Sequence, residues 1–169
     1  MRALLDVNVL IALLDADHSL HARATQWFAG HAKSGWASCP ITQNGCVRIM
    51  SHPGYPNGLP VQAVIERLTE ATVGAFHAFW PDNISLLDPN VADAGRIHGP
   101  RQLTDLYLLA LAIHHRGYFV TFDALISPED SMVFVKRSVM TNFDPVLRRA
   151  RNRSRPLVDV GSLRRRRVG

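Results

Sequence analysis

The chain is poor in the features that announce several common protein classes. Its 169 residues include only two cysteines, Cys39 and Cys46. They form no C-x-x-C pair, so both read as small buried hydrophobes in a reducing compartment rather than as metal or redox groups. No apolar stretch reaches the length that spans a bilayer, and no basic-then-apolar leader opens the chain. A soluble, cytoplasmic protein is therefore expected. Internal repeats and hairpin signals are missing. No Gly-rich phosphate loop or D-x-D pair follows the first apolar run, which leaves a phosphatase or nucleotide-binding domain without support. What remains is ordinary: 47% hydrophobic and 20% charged residues suit one globular domain with a single sizeable core.

The formal charge of +5 is unevenly spread. Residues 148–169 hold nine arginines (Arg148, Arg149, Arg151, Arg153, Arg155 and Arg164 to Arg167) against one acid, Asp159, and so carry +8. That leaves −3 on the first 147 residues. The division predicts a mildly acidic domain over residues 1–147 and an arginine-rich, disordered tail over 148–169. Such a tail would attract RNA by counterion release, fold on an acidic partner, or simply stay solvated.

Along the domain, short apolar runs alternate with helical patterns. Arg2 to Asp6, Trp36 to Cys39, Ile84 to Leu87 and Tyr118 to Phe122 read as strands, and Met132 to Val135 as an edge strand. Helices are expected over Asn8 to Leu14, from Asp17 or His18 to His31, Ile41 to Met50, Pro60 to Phe76, and Asn90 to Ile97. A further one runs from an N-cap at Thr104 to Arg116, with Gly117 as its C′ residue. This order predicts an α/β fold, an open and mainly parallel five-stranded sheet between helical layers.

Three aspartates sit where such strands end or helices begin: Asp6, Asp105 and Asp123. Ligands of an open parallel sheet collect at that edge. Carboxylates gathered there from distant parts of the chain suit Mg²⁺ or Mn²⁺, which prefer oxygen ligands, and so point to a metal-dependent enzyme acting on phosphates. Taken singly, each has a plainer role: Asp6 as an N-cap, Asp105 as a first-turn acid favoured by the helix dipole, Asp123 as a turn residue. Asp88, Asp93, Glu129 and Asp130 read as solvated loop acids. The eight histidines form no metal set, and Trp27, Trp36 and Trp80 read as core. Arg48, Arg96 and Arg101 read as surface charges that could line a phosphate path.

Leu4-Leu5-Asp6-Val7-Asn8-Val9-Leu10-Ile11 resembles the opening of PIN-domain ribonucleases. So do Thr104-Asp105-Leu106-Tyr107-Leu108-Leu109-Ala110-Leu111-Ala112 and Val120-Thr121-Phe122-Asp123. The group it is most similar to is the VapC-type toxins of bacterial toxin–antitoxin pairs. The resemblance spans residues 3–126 and implies an α/β/α fold in which Asp6, Asp105 and Asp123 converge on Mg²⁺ or Mn²⁺. It implies hydrolysis of RNA that leaves 5′-phosphate and 3′-hydroxyl ends. It also implies a homodimer restrained by a small antitoxin, with no membrane involved. Asn8, Thr104 and Thr121 are then candidate orienting or substrate-binding groups. One position departs from the family pattern: Gln43 stands where many PIN domains place a glutamate. An amide offers an oxygen but no charge, which favours one ion over two. A catalytically silent PIN module that binds RNA or a partner protein is the alternative.

Overall fold

A computed structural model describes residues 1–92 and 99–122 of the chain. Asp93, Arg96, Asp123, Glu129, Asp130, the expected edge strand at Met132 to Val135, most of the expected Asn90 to Ile97 helix and the arginine-rich segment lie outside the described residues.

Strand β1 (Ala3–Leu5) is buried on both faces, as its unbroken apolar run requires. It leads into α1 (Val7–Leu14), then α2 (His21–His31), β2 (Trp36–Ser38), α3 (Pro40–Met50), α4 (Val61–Thr72), β3 (His77–Phe79), α5 (Leu103–His114) and β4 (Tyr118–Val120). The strands form a parallel sheet in the order β3-β2-β1-β4, with Ala3 opposite both Trp36 and Tyr118. Alternation along β1 supplies two cores. Ala3 and Leu5 pack with Val9, Leu10, Trp36, Cys46 and Val64 on one face, while Leu4 packs with Ala37, Cys39, Trp80, Leu108 and Leu111 on the other. The sheet therefore lies between two helical layers, as the sequence predicts.

Several expectations need correction. The third strand is His77–Phe79, not Ile84 to Leu87. The aliphatic run misled: Leu87 is 94% exposed, and its amide bonds the Ser85 hydroxyl in a turn. The true strand, at one edge of the described sheet, is only half-buried and begins with a histidine. Helix α4 stops at Thr72 rather than Phe76, because Gly74 and a turn from His77 N–H to its carbonyl break it. Helix α2 starts at His21, since Asp15 and His18 side chains hold the preceding amides of Asp17 and Leu20 in turns.

Helix α5 is capped at Gln102, which puts Thr104 inside its first turn rather than at its N-cap. At the other end the left-handed residue is Arg116 (φ 56°), not Gly117. Arg116 N–H bonds the Ile113 carbonyl and Gly117 N–H that of Ala112, the paired bonds of a Schellman cap. Gly117 is glycine for a different reason: a Cβ there would stand 2.4 Å from the Trp80 ring and 2.6 Å from the Arg2 carbonyl.

Candidate active site

The strand order locates the site before any side chain is considered. From β1 the chain builds outward to β2 and β3, then returns to add β4 on the other flank of β1. The carboxyl ends of β1 and β4 thus flank the topological switch point, where the diverging connections leave a crevice. Asp6 follows β1 and Thr121 follows β4 at that point.

Asp6 is only 7% exposed. It caps α1, accepting from the Val7 amide at 2.7 Å, and the helix dipole favours its charge. The Thr121 hydroxyl donates to its other oxygen at 2.6 Å. Asn8, the second residue of α1, donates to the Thr121 oxygen at 3.0 Å and accepts from the Phe122 amide at 3.3 Å. Together with the Asp6 N–H to Val120 carbonyl bond (2.9 Å), these contacts sew the start of α1 to the end of β4. Asp6, Asn8 and Thr121 are thus brought together. The Arg23 guanidinium lies over the Phe122 ring, 5.5 Å from its centroid, and sets a cation beside this edge that the sequence did not single out.

Asp105 is half-buried in the first turn of α5. Only a short turn joins α5 to β4, so the helix packs antiparallel to the strand and its N-terminal end points to the same carboxyl edge. Tyr107, two residues on, hydrogen-bonds the Asp82 carboxyl, which also takes a bond from the Cys39 thiol. Asp82 follows β3 and Cys39 follows β2, so this contact ties α5 to the carboxyl ends of both strands. Burial raises the Asp82 carboxyl above its ordinary range, against both bonds, and burial also pushes Tyr107 up to about 12. Thr104 is exposed.

Gln43 sits in the first helical turns of α3, after the carboxyl end of β2. Pro40 opens that helix, and the Thr42 hydroxyl accepts from the Cys39 amide at 3.0 Å. Gly45 brings α3 against α1: a Cβ on Gly45 would fall 2.7 Å from the Val7 methyl Cγ2, and Val7 is the neighbour of Asp6. The Gln43 amide nitrogen donates to Ser38 Oγ at 2.9 Å. Beyond it, a cleft of about 510 Å³ between α3 and α4 is lined in part by Gln43, Asn44 and Arg48.

Beside Asp6 stand the Thr121 hydroxyl that bonds it and, one bond further out, the Asn8 amide that bonds Thr121. A buried carboxylate with such neighbours suits a hard divalent cation. Among the described residues no three histidine, cysteine or acidic side chains form a ligand cluster, and Asp123 lies outside them. Cys39 and Cys46 are buried free thiols, with burial pushing Cys46 up to about 12. Sequence reasoning missed Gly45, Ser38, His77 and Asp82. Gly45 in mid-helix was the available signal, since glycine there marks a close approach.

A parallel α/β domain with a buried aspartate at its switch point is of the open-sheet class that binds ligands at the carboxyl edge of its strands. Residues 3–127 match the PIN domain family, and the chain belongs to that family. It is 55% identical over 127 residues to "Ribonuclease VapC44" of Mycobacterium tuberculosis, covering 75% of this chain and 89% of the relative. It is 41% identical over 137 residues to "Ribonuclease VapC39" of the same organism, covering 80% and 99%. "Ribonuclease VapC38" is 41% identical over 123 residues, covering 72% and 85%. Among the described residues no helix is long and apolar enough to cross a membrane.

Proposed function

We propose that this protein is a Mg²⁺- or Mn²⁺-dependent endoribonuclease, the toxin of a toxin–antitoxin pair, with Asp6, Asp105 and Asp123 as its metal-holding and catalytic carboxylates. The observation that carries the proposal is the buried Asp6 at the β1/β4 switch point, fixed by Thr121 and Asn8. Membership of the PIN family and relatives named as ribonucleases support it. When bound, the ion would polarise the phosphodiester, acidify a water and offset the charge gathering on phosphorus.

The chain's own residues do the positioning. Thr121 and the α1 amide hold the Asp6 carboxyl in one rotamer. Asn8 fixes Thr121, and so fixes Asp6 at second hand. Asp105 adds charge from α5, and Gln43 offers an uncharged group from α3. Thr104, at the exposed start of α5, is free to meet substrate. Arg23, braced on Phe122, and Arg48, on the cleft, would take RNA phosphates.

The same reading gives the protein an RNA substrate, a small antitoxin partner that occludes the acidic edge, a homodimeric state and a cytoplasmic setting. Residues 148–169 form an arginine-rich appendage to a catalytic domain within residues 1–147. The end of the family match at residue 127 and the change of charge sign after residue 147 support that division. The test is cleavage of a structured-RNA pool by the purified protein with Mg²⁺, with Mn²⁺ and with EDTA. The expected outcome is cutting only with the ions. Cutting undiminished in EDTA would overturn the metal assignment, and tight RNA binding without cutting under any ion would favour the silent module.

A further inference from the structure

Gln43 is joined to a buried relay. Its amide nitrogen meets Ser38 Oγ at 2.9 Å, and Ser38 Oγ lies 2.8 Å from His77 Nε2. Ser38 is fully buried in β2. Its hydroxyl has one proton to give, and the side chain is closed off from bulk solvent. His77 opens β3, and its ring packs against Trp36 with centroids 4.4 Å apart. The ring's other side faces the carbonyl of Thr72, the last residue of α4, where helix carbonyls lack intrahelical partners.

Two directions of hydrogen bonding fit the distances alone. In one, His77 Nε2–H donates to Ser38, Ser38 donates to the Gln43 carbonyl oxygen, and the amide NH₂ is the end left for the sheet edge. The bare Nδ1 would then confront the Thr72 carbonyl, lone pair against lone pair. In the other, Nδ1–H points at the Thr72 carbonyl, Nε2 accepts the Ser38 proton, and Ser38 accepts from the Gln43 NH₂. Every group then meets its complement. Burial holds His77 below its ordinary value, which favours the neutral ring this arrangement uses.

We propose that Ser38 and His77 are positioning residues that fix the Gln43 amide with its carbonyl oxygen turned to the carboxyl edge, as a neutral oxygen donor to a divalent cation beside Asp6. The Gly45–Val7 approach brings this turn of α3 to the start of α1. His77, far along the chain, thereby decides whether position 43 offers an oxygen or an NH₂ group. This inference rests on the cation reading of the site.

Two measurements on the full chain test it. Long-range ¹H–¹⁵N correlation spectra of the native protein should show His77 protonated at Nδ1 and bare at Nε2. In Gln43→Glu the carboxylate claims the Ser38 proton, so Nε2 should become protonated. A native ring protonated at Nε2 would overturn the proposal, even if every variant failed to fold.

Mn²⁺ binding, read by the electron paramagnetic resonance of the free ion, is the second. Ser38→Ala should weaken it about tenfold. Gln43→Ala should do so at least as much, and the double variant no more than Gln43→Ala alone. Unchanged affinity in folded Ser38→Ala, or losses that simply add, would contradict the relay. A native chain that binds no Mn²⁺ would sink the cation reading and this inference with it, distinguishable from a reversed tautomer with binding intact.

Discussion

Helix α1 carries a buried aspartate at each end, Asp6 at 7% exposure and Asp15 at 5%. Asp6 stands at the end where the dipole favours an anion; Asp15 is the C-cap, where it opposes one. Asp15 is held instead by donors from a loop: the Tyr55 hydroxyl at 2.6 Å, the Asn57 amide at 3.0 Å and the Asp17 amide at 3.1 Å. Burial works against its charge, yet these bonds outweigh it and keep its carboxyl below the ordinary range. The same contact, with burial, pushes the Tyr55 hydroxyl well above its own range. The Asp15 network pins the chain after α3 to the end of α1, at the sheet edge remote from the switch point. Asp6, by contrast, is bonded across the switch point to β4. Burial alone therefore does not mark chemistry. What separates the two acids is their position in the topology.

The widest separation between the two ends should come from Asp6→Asn. Loss of its charge is expected to lower RNA cleavage by on the order of a thousandfold or more, ~4 kcal/mol in the barrier, with the denaturation midpoint close to native. Asp15→Asn should do the converse. It exchanges a charged acceptor for a weaker one, a destabilisation of about 1–3 kcal/mol in urea titrations, while cleavage per folded molecule stays native.

Gly45→Ala presses a methyl group into Val7 and tests whether α3 is seated by that contact. A loss of about 1–2 kcal/mol is expected from overpacking, together with a fall in activity because the start of α1 moves. Thr121→Val removes the hydroxyl from Asp6 while keeping the shape, and cleavage should fall roughly tenfold.

The smallest effect is one of pH. Asp15 has a lowered native value, so its contribution is fully present above the unfolded carboxylate value of ~3.9 and is lost as pH falls through the native value. The stability gap between native protein and Asp15→Asn should hold near neutrality and close in strong acid. A gap that widened on acidification would reverse the sign assigned to Asp15.

Much of this was legible in the sequence, and the reasons can be read from particular residues. Leu4-Leu5-Asp6 was clear because a parallel central strand is continuously apolar and its end is marked by the first acid. Helix α3 was clear because Pro40 and Gly54 bracket a helical pattern. Strand β3 was not, since an edge strand needs only one buried face and His77-Ala78-Phe79 carries little aliphatic signal. The cap of α5 escaped because Thr104 has the right chemistry for an N-cap, but the helix begins two residues earlier, directly after a short 3-10 turn over Pro100–Gln102. Ser38 and His77 were invisible for another reason. They are 39 residues apart, and nothing in the spacing of either announces a pairing made by the parallel register of β2 and β3.

The most direct test of the account sets Asp6→Asn and Asp15→Asn side by side, measuring RNA cleavage per folded molecule with Mn²⁺ and the urea midpoint of each. The account predicts a folded, inactive Asp6 variant and a destabilised, active Asp15 variant. Native-rate cleavage by Asp6→Asn would contradict it.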